Sequence, residues 1–189
     1  MAHLAPDARR RLGMTFVPAE RLGHGAVPAM SLADNGLLTA FQQEGMVNHG
    51  LIRHSRVEAF ARRIIETFAV KTPGTHTPAR SLSGGNLQKF ILGREILQQP
   101  KLLIAAHPTW GVDVGAAAAI HRALIELRDA GAAILVISED LEELFQISDR
   151  IGALSHGRLS PLQPTAATSA TDVGRWMAGQ FDHPTTTAA

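Results

Sequence analysis

An α/β fold, with a parallel sheet beside a helical segment, is predicted by two features of the chain. Beyond Pro100, short apolar runs alternate with helical patterns: Leu102 to Ala106, Val114 to Ala130, Ala132 to Ser138 and Leu141 to Ile147. Strands that alternate with helices pair in parallel. Before Pro100, helical periodicity dominates, and the small-residue turn Ser83-Gly84-Gly85 runs directly into an apolar-periodic helix. At 189 residues the chain is long enough to bury a real core.

Residues 1–21 read as an arm and a first strand: Arg9, Arg10 and Arg11 solvated, then Gly13 to Val17 extended and ended by Pro18. Ala19 to Gly25 is a loop. Residues 22–99 form a helical subdomain. Met30 to Phe41 is a helix capped near Ser31 or Asp34, and Gln42 to Gly50 a polar connector. Ser55-Arg56-Val57-Glu58 fits a capping box, with Val57, Ala61, Ile64, Ile65 and Phe68 on one face and Arg56, Arg62, Arg63 and Glu66 on the other. Lys71 to Pro78 is a loop leading to Ser83, whose side chain caps the next helix or donates its hydroxyl outward. Gly84 and Gly85 leave backbone N–H groups accessible at the positive end of that helix, a phosphate-holding arrangement that also fits an ordinary capped surface helix. Leu87, Phe90, Ile91 and Leu97 give the helix an apolar side and Gln88 and Glu95 a polar one, while Arg94 falls among the apolar positions and needs a partner.

Residues 100–160 carry the alternating strands and helices, with Ala132 to Ser138 a second buried strand and Arg150 to Ser155 a final strand turning at His156-Gly157. Residues 161–189 are rich in Pro, Thr, Ala and Ser, with one helix over Asp172 to Gln180 and disorder from Phe181 to Ala189.

Lys plus Arg number 18 and Asp plus Glu 17, so a net charge of +1 gives no reason to expect nucleic acid or an anionic membrane as a general partner. Zero cysteines exclude disulfides and thiolate metal sites. No apolar run is long enough to span a bilayer, and no signal peptide is visible. The nine histidines show no metal-ligand spacing, so no metal site is expected. No Gly-Lys pair exists, so the chain lacks the lysine-bearing loop that holds β- and γ-phosphates.

Leu82-Ser83-Gly84-Gly85-Asn86-Leu87-Gln88-Lys89 resembles the signature motif of ATP-binding cassette (ABC) ATPases, in the form found in sugar and nucleoside importers. Pro100 to Thr109 resembles that family's Walker B strand, Trp110 to Ala116 its D-loop, and Ile134 to Asp140 its switch strand. The order and spacing agree, and the resemblance extends over roughly Arg10 to Arg158, closest to the second ATPase half of two-cassette subunits.

This resemblance implies a partial P-loop NTPase-like sheet, truncated on its N-terminal side without Walker A. Ala106 stands at the position of the metal-binding Asp, His107 at that of the catalytic Glu, and Glu139 at that of the switch histidine. A carboxylate for Mg²⁺ is thereby missing, so the chain is not expected to hydrolyse ATP on its own. The implied contribution is in trans: Ser83, Gly84, Gly85, Asn86 and Gln88 toward ATP held by another nucleotide-binding domain, with Mg²⁺ supplied only through that partner. Trp110, Gly111 and Asp113 fall at the cassette interface, Trp110 packing there or covering the core. Ala19 replaces the metal-contacting residue of the coupling loop, and Glu20 and Arg21 keep an acid-arginine pair toward a permease. The implied location is cytoplasmic, at the inner face of the cell membrane through the permease. A non-catalytic regulatory or truncated pseudo-cassette is the alternative. A soluble ABC ATPase acting on DNA or ribosomes is disfavoured, because neither a heptad insertion nor a basic patch is present.

Overall fold

The computed structural model describes residues 3–42 and 44–181. Two compact units divide the chain, the first ending at Ile137 and the second beginning at Ser138.

In the first unit the expected arginine arm is a helix, α1 (Pro6–Arg11), started by a proline whose missing N–H costs nothing there. Arg10 is not simply solvated: its Nη1 donates to Glu95 Oε2 at 2.9 Å. Strand β1 (Met14–Val17) follows, then α2 (Leu32–Ala40), whose N-cap Ser31 accepts the Asp34 N–H at 3.0 Å. The polar connector enters an unforeseen hairpin of β2 (Val47–Asn48) and β3 (Leu51–Ile52), the second strand lying just beyond it. Its turn residues His49 and Gly50 have φ of 49° and 78°, the left-handed pair that matches strand twist in two-residue hairpins.

Helix α3 (His54–Thr67) begins one residue before Ser55, so the expected capping box does not form and Arg53 is the N-cap without a side-chain bond. The hairpin sets this start: the Arg53 N–H closes onto the Met46 carbonyl at 2.8 Å, and the Arg53 carbonyl then accepts from Arg56 and Val57. Val57, Phe60, Ala61 and Ile64 are buried, whereas Ile65 and Phe68 are only half-buried.

Helix α4 (Gly84–Ile96) starts at the cap Ser83 and packs on α2, α3 and β1 through Leu87, Phe90, Ile91 and Leu92. The polar side assigned to Gln88 and Glu95 is not a solvent face, since both are buried. Burial is tolerated because each is fully engaged: Gln88 Nε2 donates to the Pro108 carbonyl at 2.9 Å, and Glu95 accepts from Arg94 and Arg10. Arg94 finds the partner its position requires. Its Nε donates to Glu95 Oε1 at 2.8 Å, Nη1 to the Asn35 carbonyl and Nη2 to the Gly25 carbonyl.

β4 (Leu102–Ala106), α5 (Val114–Asp129) and β5 (Ala133–Ile137) complete this unit. The sheet is parallel in the order β1-β4-β5, with Thr15 opposite Leu103 and Leu103 opposite Ile134. Val17, Leu103 and Ala105 lie in its buried layer. Strand β5 is not the buried strand expected from its apolar run. It is an edge of this sheet, and Leu135 and Ile137 are each 50% exposed.

In the second unit, α6 (Leu141–Ile147) is capped by Asp140. The expected single strand from Arg150 to Ser155 is two: β6 (Arg150–Ile151) and β7 (Leu154–Ser155), because two returning segments pair with its halves. β8 (Arg158–Leu159) pairs with β7 across the His156-Gly157 turn, and β9 (Gln163–Pro164) with β6. Helix α7 (Ala170–Met177) opens with a reciprocal capping box between Ser169 and Asp172. Residues 182–189, within the tail expected to be disordered, lie outside the described residues. Among the described residues, no helix is long and apolar enough to cross a membrane.

Candidate functional site

Ser83, Gly84, Gly85 and Asn86 stand together at the start of α4, with Ser83 and Gly84 exposed. Ser83 Oγ accepts from the Asn86 amide at 3.4 Å and from Asn86 Nδ2 at 2.9 Å, which leaves its own proton to donate outward. Asn86 Oδ1 accepts the Lys71 N–H at 2.8 Å, so this side chain holds the preceding loop to the helix. The first N–H groups of the helix have no carbonyl one turn back and lie at the positive end of its dipole, which suits an anion.

Ala106 ends β4 and His107 follows it with φ of 49°. The His107 N–H donates to the Ile137 carbonyl at 2.8 Å, so this histidine closes the strand end. Alanine and a half-buried imidazole offer no hard oxygen ligand there. Glu139 is exposed just beyond β5. Among the described residues, no group of three or more His, Cys, Asp and Glu side chains could hold a metal ion.

Trp110 is 69% exposed, so it does not cover the core, and its ring lies 6.3 Å from that of His107. Asp113 is the N-cap of α5. Its Oδ1 accepts the Ala116 N–H at 2.9 Å, and that bond, ahead of the other causes, holds its carboxyl below the ordinary value of 3.8. A depressed folded-state value means that the cap stabilises fully above the unfolded value and is lost as pH falls through the lower folded one. Asp113→Asn keeps a capping acceptor but cannot titrate. Urea midpoints across roughly pH 5 to 2 are expected to fall more steeply for the wild type than for this variant.

The Ala19–Gly25 loop departs most from its reading. Ala19 and Glu20 are exposed, but Glu20 pairs with His24 Nδ1 at 2.7 Å, and Arg21 turns away toward α4. Arg21 Nε donates to Gln88 Oε1 at 3.0 Å and Nη2 to the Trp110 carbonyl, with the guanidinium 5.9 Å from the Trp110 ring centroid. Sequence reasoning also missed Asn35. It is fully buried, accepts the Val27 N–H at 2.7 Å and donates to the carbonyls of Val27, Met30 and Ser31. A lone Asn on the apolar side of a helix was the available signal, because a buried amide must find partners.

No family model matches the chain. Among curated proteins, it is 40% identical over 177 residues to the guanosine import ATP-binding protein NupO of Bacillus subtilis, covering 94% of this chain and 35% of that one. The nucleoside import ATP-binding protein NupA of Lactococcus lactis subsp. cremoris is 39% identical over 86% of this chain and 32% of its own length. The ribose import ATP-binding protein RbsA 1 of Rubrobacter xylanophilus is 38% identical over 82% and 31%. The chain thus spans about a third of the length of the curated relatives it matches. Among solved structures, the post-hydrolysis dimer of the ATP-binding cassette MJ0796 bound to ADP and Pi aligns with a TM-score of 0.70 at 18% identity, over 86% of this chain and 68% of that one. A second dimeric structure of MJ0796, a bacterial ABC transporter cassette, aligns at 0.69 with 19% identity over the same shares. By homology over most of its length and by fold, the chain belongs to the ABC ATPase cassettes, with its relatives among sugar and nucleoside import ATP-binding proteins.

Proposed function

We propose that the chain is a degenerate cassette of an importer for simple sugars or nucleosides, acting as a second nucleotide-binding half that lends its signature in trans to ATP on a partner cassette. The observation that carries this reading is an asymmetry between two ends of secondary structure. At α4 the groups that would face phosphate are assembled, from the outward hydroxyl of Ser83 to the amides of Gly84 and Gly85, while the Asn86 N–H is taken up by the Ser83 cap. At β4 the strand ends in Ala106 and His107, which cannot organise Mg²⁺.

In this reading the partner brings ATP and its Mg²⁺, and Trp110, Gly111 and the start of α5 face that partner. The exposed Ala19 and Glu20 face a membrane permease, which holds the chain at the cytoplasmic side of the membrane. A regulatory cassette without transport function shares the Ala106-His107 strand end and is separated from this reading by the signature variants described below.

The chain alone is expected to show no micromolar binding in calorimetric titration with Mg-ATP, since it has neither a phosphate-loop lysine nor a metal carboxylate. A micromolar dissociation constant overturns the proposal.

A further inference from the structure

Three stretches far apart in sequence meet at one side chain: the loop after β1, the start of α4 and the turn before α5. Arg21 reaches the second through Gln88 and the third through the Trp110 carbonyl. It also fills the space that two glycines leave open. Its Nη1 lies 2.6 Å from where a Cβ on Gly84 would stand, and its Nη2 3.1 Å from the corresponding point on Gly111. Gln88 continues the chain of bonds through Nε2 to the Pro108 carbonyl at 2.9 Å. At its far end the loop is anchored, because the Gly25 carbonyl accepts from buried Arg94 at 2.9 Å and Val27 is paired in both directions with Asn35.

We propose that Arg21 is a positioning residue that couples this loop to the signature turn and to the Trp110 turn, so that displacing residues 19–23 loosens both together. The geometry requires a fork. Nε and Nη2 of one planar group serve acceptors on two different segments, and a lysine ammonium on a flexible stem cannot hold both in register. Charge assistance makes each bond stronger than a neutral one, and the partly buried setting of the bond to Gln88 limits competition from water there. The functional meaning rests on the proposed trans reading, because the two segments Arg21 holds are those that would meet a partner's nucleotide.

The test is amide hydrogen exchange on the purified full chain without nucleotide, so it can fail independently of that reading. The reporting amides are those of Leu87, bonded to the Ser83 carbonyl, and of Trp110 and Val112, bonded to the carbonyls of His107 and Thr109. In Arg21→Ala and in Arg21→Lys, exchange at all three is expected to accelerate by about tenfold or more, with α2, α3 and β5 unchanged. In a Trp176→Phe background, acrylamide quenching of Trp110 is expected to rise in parallel. Acceleration confined to residues 19–23 or to one of the two segments overturns the coupling. Uniform acceleration through the unit overturns it as well, by reducing Arg21 to a general stability role. Wild-type protection in Arg21→Lys overturns the fork.

Discussion

Gly85→Asp is expected to abolish the ATPase activity of a partner cassette in a reconstituted complex while this chain still folds and assembles. A Cβ at position 85 meets nothing nearer than the Val112 Cα at 3.7 Å, an ordinary contact. An aspartate in the first turn of a helix also complements the dipole, so the folded chain tolerates it. Toward phosphate the same carboxylate repels. It stands where charge-assisted hydrogen bonds contribute roughly 1.5–3 kcal/mol each, so losing two of them lowers the rate by more than about 100-fold. Gly84→Asp is a poorer choice, since its Cβ falls 2.6 Å from the Arg21 guanidinium and the substitution would disturb Arg21 too. Ser83→Arg blocks the same approach by bulk and serves as the second variant. Phosphate release by the complex is the readout. Full activity with Gly85→Asp would make the signature a relic and favour the regulatory reading.

Glu95→Ala is expected to cost about 3–5 kcal/mol of stability, the usual penalty for leaving one partner of a buried ion pair uncompensated. Glu95 is fully buried and accepts from Arg94 at 2.8 Å and Arg10 at 2.9 Å. Without it the Arg94 guanidinium, itself buried, retains only the carbonyls of Asn35 and Gly25. A single domain is stable by about 5–15 kcal/mol, so such a loss is a large share of the total. Replacing Arg94 and Glu95 together by Met and Leu should cost less than Glu95→Ala alone, because the fully buried Arg94 charge is then removed with its partner and only the partly exposed Arg10 loses its carboxylate. Urea unfolding of the three proteins checks both statements. A loss below about 1 kcal/mol in Glu95→Ala would mean that water reaches the pair and screens it.

The sequence by itself determined the features that depend on near neighbours along the chain. The caps at Ser31 and Ser83, the strands at Met14 and Leu102 and the helix after Gly84 are legible because capping and periodicity operate within a few residues. The signature and the Ala106-His107 departure were readable through resemblance to the motifs of the ABC family, which are contiguous stretches of sequence. Tertiary structure decided the rest. Ser55 lost its cap to a hairpin that closes on Met46, and the apolar run of β5 is half-exposed because burial depends on what packs over a strand's faces, which its own residues do not specify. Gln88 and Glu95 read only as the polar side of their helix, and their burial was hidden because the partners Pro108 and Arg10 lie 20 and 85 residues away. Arg21 is the sharpest case. Its own neighbours suggest a solvent-facing pair with Glu20, yet the bonds that orient it come from Gln88 and Trp110, which only the packing of α4 beside β1 brings within reach.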